Sequence, residues 1–171
     1  MASTLNVSNA LKNPGQEYPF EADAQIEDMV VLDDPVHFEA VRIKGTVLGA
    51  GESVNVLANV SATVVTRCSN CLEEMELPVE TEMDVRYART PDPEDPDLYV
   101  FDASTIDLTD SARDALLLEL PMRFLCREDC KGLCPQCGVN LNTGSCTCQE
   151  GGEVTNPFAA LKAIVLKDEE V

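Results

Sequence analysis

Apolar and polar residues alternate along the middle of the chain with the two-residue period of an extended strand. From His37 to Val47 the apolar set is Phe38, Ala40, Ile43 and Val47, in imperfect register, and the segment Gly-Ala-Gly-Glu-Ser at 49–53 then marks a turn. The next run, Val54 to Thr66, places Val54, Val56, Ala58, Val60, Ala62 and Val64 on one face. After Arg67-Cys68-Ser69-Asn70-Cys71, a third run carries Met75, Leu77, Val79, Met83 and Val85 at odd positions among acids. These runs predict an antiparallel meander with Cys68 and Cys71 at the tip between two long strands. Its solvent face should carry Glu74, Glu76, Glu80, Glu82 and Asp84, the ordinary composition of a wet sheet face.

Beyond the meander the period changes. Residues 90–97 combine three prolines with four acids, which suits an exposed linker and excludes a helix or central strand. Leu98 to Phe101 reads as a short strand, and Asp107 as the N-cap of a helix with Leu108, Ala112, Ala115, Leu116 and Leu120 on its apolar side, ended by Pro121. Residues 122–149 are rich in Cys and Gly and lack periodicity, so their order must come from something other than a hydrophobic core. Asn156-Pro157 followed by Phe158, Leu161, Ile164 and Val165 predicts a short amphipathic helix that docks on the core or, as the alternative, on a partner. Residues 1–25 carry few periodic cues and are expected to be loosely ordered. The fold class expected is α+β: an antiparallel β-meander with one or two packed helices and a C-terminal zinc-knuckle module. Its parts are a core over 26–121, a cysteine-rich module over 122–149, and a docking helix with an acidic tail over 150–171.

Composition bears on this in three ways. A chain of 171 residues with 44% apolar content holds one compact core plus a small module, and without Trp that core must be aliphatic. No stretch resembles a signal-peptide core or a membrane span, so a cytoplasmic, membrane-free chain is expected. The net charge of −19 disfavours diffuse attraction to a nucleic-acid backbone. It fits a basic protein partner, or RNA contact through one restricted face. Residues 122–149 alone are weakly basic, with Arg123, Arg127 and Lys131 against Glu128 and Asp129, so they are the best candidate for such a face.

Eight cysteines form the strongest chemical signal. In a chain without an export signal, and at one- or two-residue spacings, they suit metal ligation better than disulfides. Cys134-Pro-Gln-Cys137-Gly138 is a turn that brings two sulfurs to one ion, and Cys146-Thr-Cys148 returns over a short Asn/Gly-rich loop to close a tetrahedron. Cys68 and Cys71 form a second knuckle that Cys126 and Cys130 can complete; the alternative assigns Cys126 or Cys130 to the later cluster and leaves an odd thiol. Two zinc ions in closed four-cysteine sites would be structural, with no open position for substrate, and would take the formal charge to −23. A thiol redox enzyme or sensor is a further reading of Cys-x-x-Cys, but neither pair precedes a predicted helix. His37 is the sole histidine, at a strand start, and no phosphate loop, nucleophile elbow or His-Glu-x-x-His is present. No catalytic residue is expected.

Four motifs occur in order: Arg67-Cys-Ser-Asn-Cys71-Leu72, Leu120-Pro121, Cys130-Lys-Gly-Leu-Cys134-Pro-Gln-Cys137-Gly-Val-Asn140-Leu-Asn142, and Asn156-Pro-Phe-Ala-Ala-Leu161. Together, over residues 35–166, they resemble the YceD family, a bacterial family associated with accumulation of large-subunit ribosomal RNA. The resemblance implies a non-catalytic role in large ribosomal subunit biogenesis and 23S ribosomal RNA accumulation, through precursor ribosomal RNA or a basic ribosomal protein. Some members keep the first Cys-x-x-Cys and lack the later knuckle, which implies that 68/71/126/130 is one site and 134/137/146/148 an added one. The acidity of this chain departs from that of a direct RNA binder. An acidic module or chaperone for a basic ribosomal protein is therefore the alternative reading.

Overall fold

A computed structural model describes residues 3–148 apart from 96. In chain order the elements are β1 (Thr4–Asn6), α1 (Ser8–Lys12), β2 (Glu17–Ala24), β3 (Met29–Val31), β4 (Asp34–Ala50), β5 (Ser53–Arg67), β6 (Glu74–Ala88), β7 (Tyr99–Val100), β8 (Thr105–Asp107) and α2 (Thr109–Glu119). The chain divides into two compact units, Met1–Cys130 and Lys131–Val171. The mixture of a dominant sheet with two helices is the α+β class expected.

In the first unit, β4, β5 and β6 form the predicted meander, within a sheet of order β2-β4-β5-β6-β7. Two tight turns fix its register. Ala50 pairs with Ser53 across Gly51 and Glu52, and the positive φ of Gly51 alone (74°) makes this a type II′ turn, which matches the twist of the strands it joins. Val31 pairs with Asp34 across Leu32 and Asp33, both at positive φ (52° and 70°), a type I′ turn built without glycine. The meander is not wholly antiparallel in its extended form, because β7 adds to β6 in parallel through Tyr87↔Tyr99 and Ala88↔Val100.

Every even residue of β5 from Val54 to Val64 is buried, together with Val79, Met83 and Tyr87 of β6 and Val41, Ile43 and Val47 of β4. Both helices, the cap residues that precede them and β8 supply apolar groups to the same core, chiefly Val7, Ala10, Ile106, Leu108, Ala112 and Leu116. The other face carries Glu74, Glu76, Glu80, Glu82 and Asp84, all exposed as the alternation required. These acids and Pro78 also blunt the long outer edge of β6, which β7 covers only at its end.

Helix α2 stops where Pro121 dictates: Leu120 is already extended, at φ −64° and ψ 136°. At its start the cap position falls on Leu108, one residue later than expected, and Asp107 serves it from outside, its carboxylate accepting the Thr109 amide at 2.9 Å. Tyr87 ties this helix to the sheet. Its hydroxyl donates to the Asp107 carbonyl at 3.0 Å and lies 2.6 Å from the Ser111 hydroxyl, which also reaches the Leu108 carbonyl at 3.1 Å. Burial, against the opposing Ser111 contact, pushes the Tyr87 phenol up to about 12.

Two larger expectations need correction. Where loose order was expected, the described residues 3–25 contain β1, α1 and β2. The Val7 amide donates to the Ser104 carbonyl at 2.9 Å, and Val7 and Ala10 are each 2% exposed. The strand partners of β2 lie 17 to 31 positions away in β4 and those of β1 about 100 positions away in β8, so no local periodicity announces them. The second correction concerns the boundary, which falls at Cys130/Lys131 rather than at 121/122, because Phe124 is buried in the first unit. The helix expected over 156–166 lies outside the described residues. Among the described residues, no helix is long and apolar enough to cross a membrane.

Candidate metal centres

The tip between β5 and β6 is a knuckle made by backbone hydrogen bonds. Leu72 N–H donates to the Cys68 carbonyl at 2.8 Å, and Cys68 N–H to the Glu73 carbonyl at 2.8 Å. The second unit repeats this pattern: Gly138 N–H donates to the Cys134 carbonyl at 2.9 Å, and Cys134 N–H to the Val139 carbonyl at 2.8 Å. In each knuckle the residue after the second cysteine adopts positive φ, 60° at Leu72 and 73° at Gly138. That conformation suits glycine and strains leucine.

The first knuckle meets the chain that follows α2. Ser69 N–H donates to the Phe124 carbonyl at 2.7 Å, and Phe124 N–H to the Ser69 hydroxyl at 3.2 Å. Asn70 donates to the Cys130 carbonyl at 3.3 Å while accepting from Arg123 at 2.7 Å. With Phe124 buried as the anchor, Cys126 and Cys130 come to Cys71 and Cys68, at 3.7 Å for each pair of sulfurs. All four sulfurs lie within 4.8 Å of one another. A disulfide would need about 2.05 Å.

In the second unit the turn over 140–144 returns the chain, with the Gly144 amide donating to the Asn140 carbonyl at 2.8 Å and the Leu141 amide to the Gly132 carbonyl at 2.9 Å. Lys131 N–H donates to the Asn142 side chain at 2.9 Å. Cys134, Cys137, Cys146 and Cys148 thereby form a second group whose sulfurs lie within 4.8 Å of one another. The eight cysteines are thus partitioned four and four, and the alternative with an odd thiol is not the arrangement found. Each group can hold a metal ion.

Electrostatics single out one cysteine in each group. At Cys68 burial opposes ionisation, yet amide donation from Cys126, Cys71 and Asn70 outweighs it and brings the thiol down to about 6. At Cys134 the amides of Cys137 and Gln136 do the same against burial, again to about 6. Their neighbours go the other way. Desolvation, then the sulfurs of Cys130, Cys71 and Cys68, push Cys126 up to about 12. The Cys137 sulfur and desolvation push Cys148 to about 12. Without a cation each cluster therefore favours one thiolate and resists further ionisation; a divalent ion removes that resistance.

Neither Cys-x-x-Cys pair begins a helix, as Cys71 leads toward β6 and Cys137 into a turn. His37 lies away from both clusters in sequence and bonds Asp28, with Glu39 on its other nitrogen at 3.7 Å.

A family model described as "Large ribosomal RNA subunit accumulation protein YceD" matches residues 56–165. The uncharacterized protein YlbN of Bacillus subtilis (strain 168) is 27% identical over 161 residues, 92% of this chain and 93% of the relative. The uncharacterized protein Rv2926c of Mycobacterium tuberculosis is 40% identical over 153 residues, 81% of this chain and 70% of the relative. A chloroplastic maize protein named "Large ribosomal RNA subunit accumulation protein YCED homolog 1" is 49% identical over 45 residues, 26% of this chain and 15% of that protein. No solved structure matches significantly.

Proposed function

The chain belongs to the YceD family, and from that premise we propose that it is a non-catalytic, zinc-binding factor of large ribosomal subunit biogenesis that acts in the cytoplasm on 23S ribosomal RNA accumulation. The observation that carries the zinc reading is sulfur geometry. Zinc–thiolate bonds of about 2.3 Å in a tetrahedron put sulfurs about 3.8 Å apart. In the first cluster the Cys68–Cys130 and Cys71–Cys126 sulfurs are each 3.7 Å apart. An all-thiolate donor set favours zinc over hard cations, and four protein ligands leave no position for water or substrate. The ions would hold structure, and the protein would act by binding.

Arg123, fixed at the first knuckle by Asn70, and Arg127, four residues on, are exposed cations in an otherwise acidic chain. They support contact with precursor ribosomal RNA through a restricted face. The test is replacement of the chromosomal copy by a Cys71→Ser form in its host, with the ratio of 23S to 16S ribosomal RNA as the readout. A fall in 23S relative to 16S, matched by an Arg123→Ala/Arg127→Ala form that keeps its zinc, is the expected result. An unchanged ratio in both would remove the reading.

A further inference from the structure

The first unit holds a solvent-open groove of about 1220 Å³, walled by the end of β2 and the loop after it, by His37–Arg42 of β4, and by the start of α2. Its rim carries six carboxylates, Asp23, Glu27, Asp28, Glu39, Asp107 and Asp110, against Arg42 and Arg113, a net charge of −4 with His37 neutral. Arg113 pairs with Asp110 at 2.8 Å and Asp114 at 3.0 Å, and His37 bonds Asp28 with Glu39 at 3.7 Å, so the rim charge rests chiefly on the exposed Asp23 and Glu27. The floor is apolar, with Ile26, Phe38 and Val41. In the β4 wall the strand breaks register between Glu39 and Arg42, where Ala40 takes a φ of 50°.

We propose that this groove is the docking site for an extended, basic segment of a partner protein, with cationic side chains on the carboxylate rim and apolar ones on the floor. Charge complementarity selects the occupant. A nucleic acid would bring its phosphates against a net negative rim, which repels it. A small molecule suits pockets of about 300–1000 Å³ that enclose it, whereas this groove is larger and open. A polypeptide has a further advantage: β2 ends the sheet and its outer backbone has no strand partner among the described residues. A peptide can add there by main-chain pairing. The site uses neither cysteine cluster, so it goes beyond the metal-held reading and stands without it.

The experiment is fluorescence anisotropy of the full chain with a labelled peptide of alternating arginine and leucine. A glutamate–leucine peptide of equal length serves as the control. Asp23→Asn/Glu27→Gln removes two exposed rim charges. Glu80→Gln/Glu82→Gln removes the same charge from the open sheet face, and thermal melts establish that both variants fold. The proposal expects binding of the cationic peptide that weakens about tenfold in the rim variant and stays within about twofold in the sheet-face variant. Equal weakening in both variants would assign the binding to bulk acidity and overturn the site. So would no binding to the wild type, or displacement of the peptide by single-stranded RNA whose own binding is lost in Arg42→Ala.

Discussion

Replacing Gly49 by alanine should release α1 from the sheet while leaving the sheet intact. A Cβ at this position would overlap the carbonyl group of Ala10, so α1 sits directly on β4 there. Relieving the overlap without moving α1 would require shifting a strand paired along both sides, with Leu48 opposite Asn55 and Glu17. Undocking α1 is the cheaper response: it exposes Val7 and Ala10, each now 2% exposed, and returns conformational freedom to five residues. An overpacking cost of about 1–3 kcal/mol lowers the opening free energy of the segment by that amount, so protection should fall roughly fivefold to 150-fold. The readout is amide hydrogen exchange at Leu11 and Asn13, whose N–H groups bond Val7 and Asn9 carbonyls at 3.0 and 3.1 Å, and at Gly15, bonded to Gly49 at 3.1 Å. Amides of β5 serve as the internal standard. Unchanged protection at Leu11 would refute the docking, and an equal loss across β5 would refute the idea that the segment opens independently.

Cys137→Ser should lower zinc per chain from two to one by elemental analysis and expose the second unit to proteolysis while the thermal transition of the sheet survives; two retained zinc ions would mean other ligands. Zinc binding at pH 7 should release at least two protons per cluster, because Cys71 and Cys126 in one and Cys146 and Cys148 in the other are all raised. Calorimetry in buffers of different ionisation enthalpy counts them, and a buffer-independent enthalpy contradicts the assignment. Tyr87→Phe should cost about 1–3 kcal/mol in urea unfolding near neutral pH by leaving the Asp107 carbonyl and Ser111 under-satisfied. The Tyr87 phenol is raised to about 12 in the folded state, so its contribution is complete below pH 10 and is lost as pH climbs from 10 through 12; Tyr87→Phe should flatten that alkaline decline. An equally steep decline in the variant would place the titrating group elsewhere.

The long strands were legible because each buries one face, and a two-residue period records that directly in Val54 to Val64. The helix at 109–119 was legible from its apolar side and from Pro121. The first 33 residues were not. The turn at Leu32-Asp33 puts a leucine at positive φ, a position that its residue type does not announce. Strands β1 and β8 pair over about a hundred positions, and a three-residue strand has no period to detect. The parallel addition of β7 was hidden in the same way, since two residues pair through geometry alone. The groove was invisible for a related reason: its acids come from three separate stretches that only the tertiary fold brings to one rim.

Of the two cysteine clusters the second was the easier to read, and the structure explains the difference. Cys134-x-x-Cys137-Gly138 states its turn openly, since glycine stands where φ is positive. Cys68-x-x-Cys71-Leu72 makes the same turn with the same pair of backbone hydrogen bonds, but with leucine at φ 60°. A non-glycine residue there costs about 1–2 kcal/mol. The cost is borne because this knuckle is held from outside: Phe124 and Ser69 exchange two hydrogen bonds, and Asn70 links Cys130 to Arg123. The second knuckle is held by short-range bonds within 131–144, and glycine avoids the cost that leucine bears in the first. Strain tolerance thus follows tertiary support. The knuckle at the tip of the meander can carry an exposed Leu72 at 57% accessibility, whereas the one in the second unit has glycine at the positive-φ position.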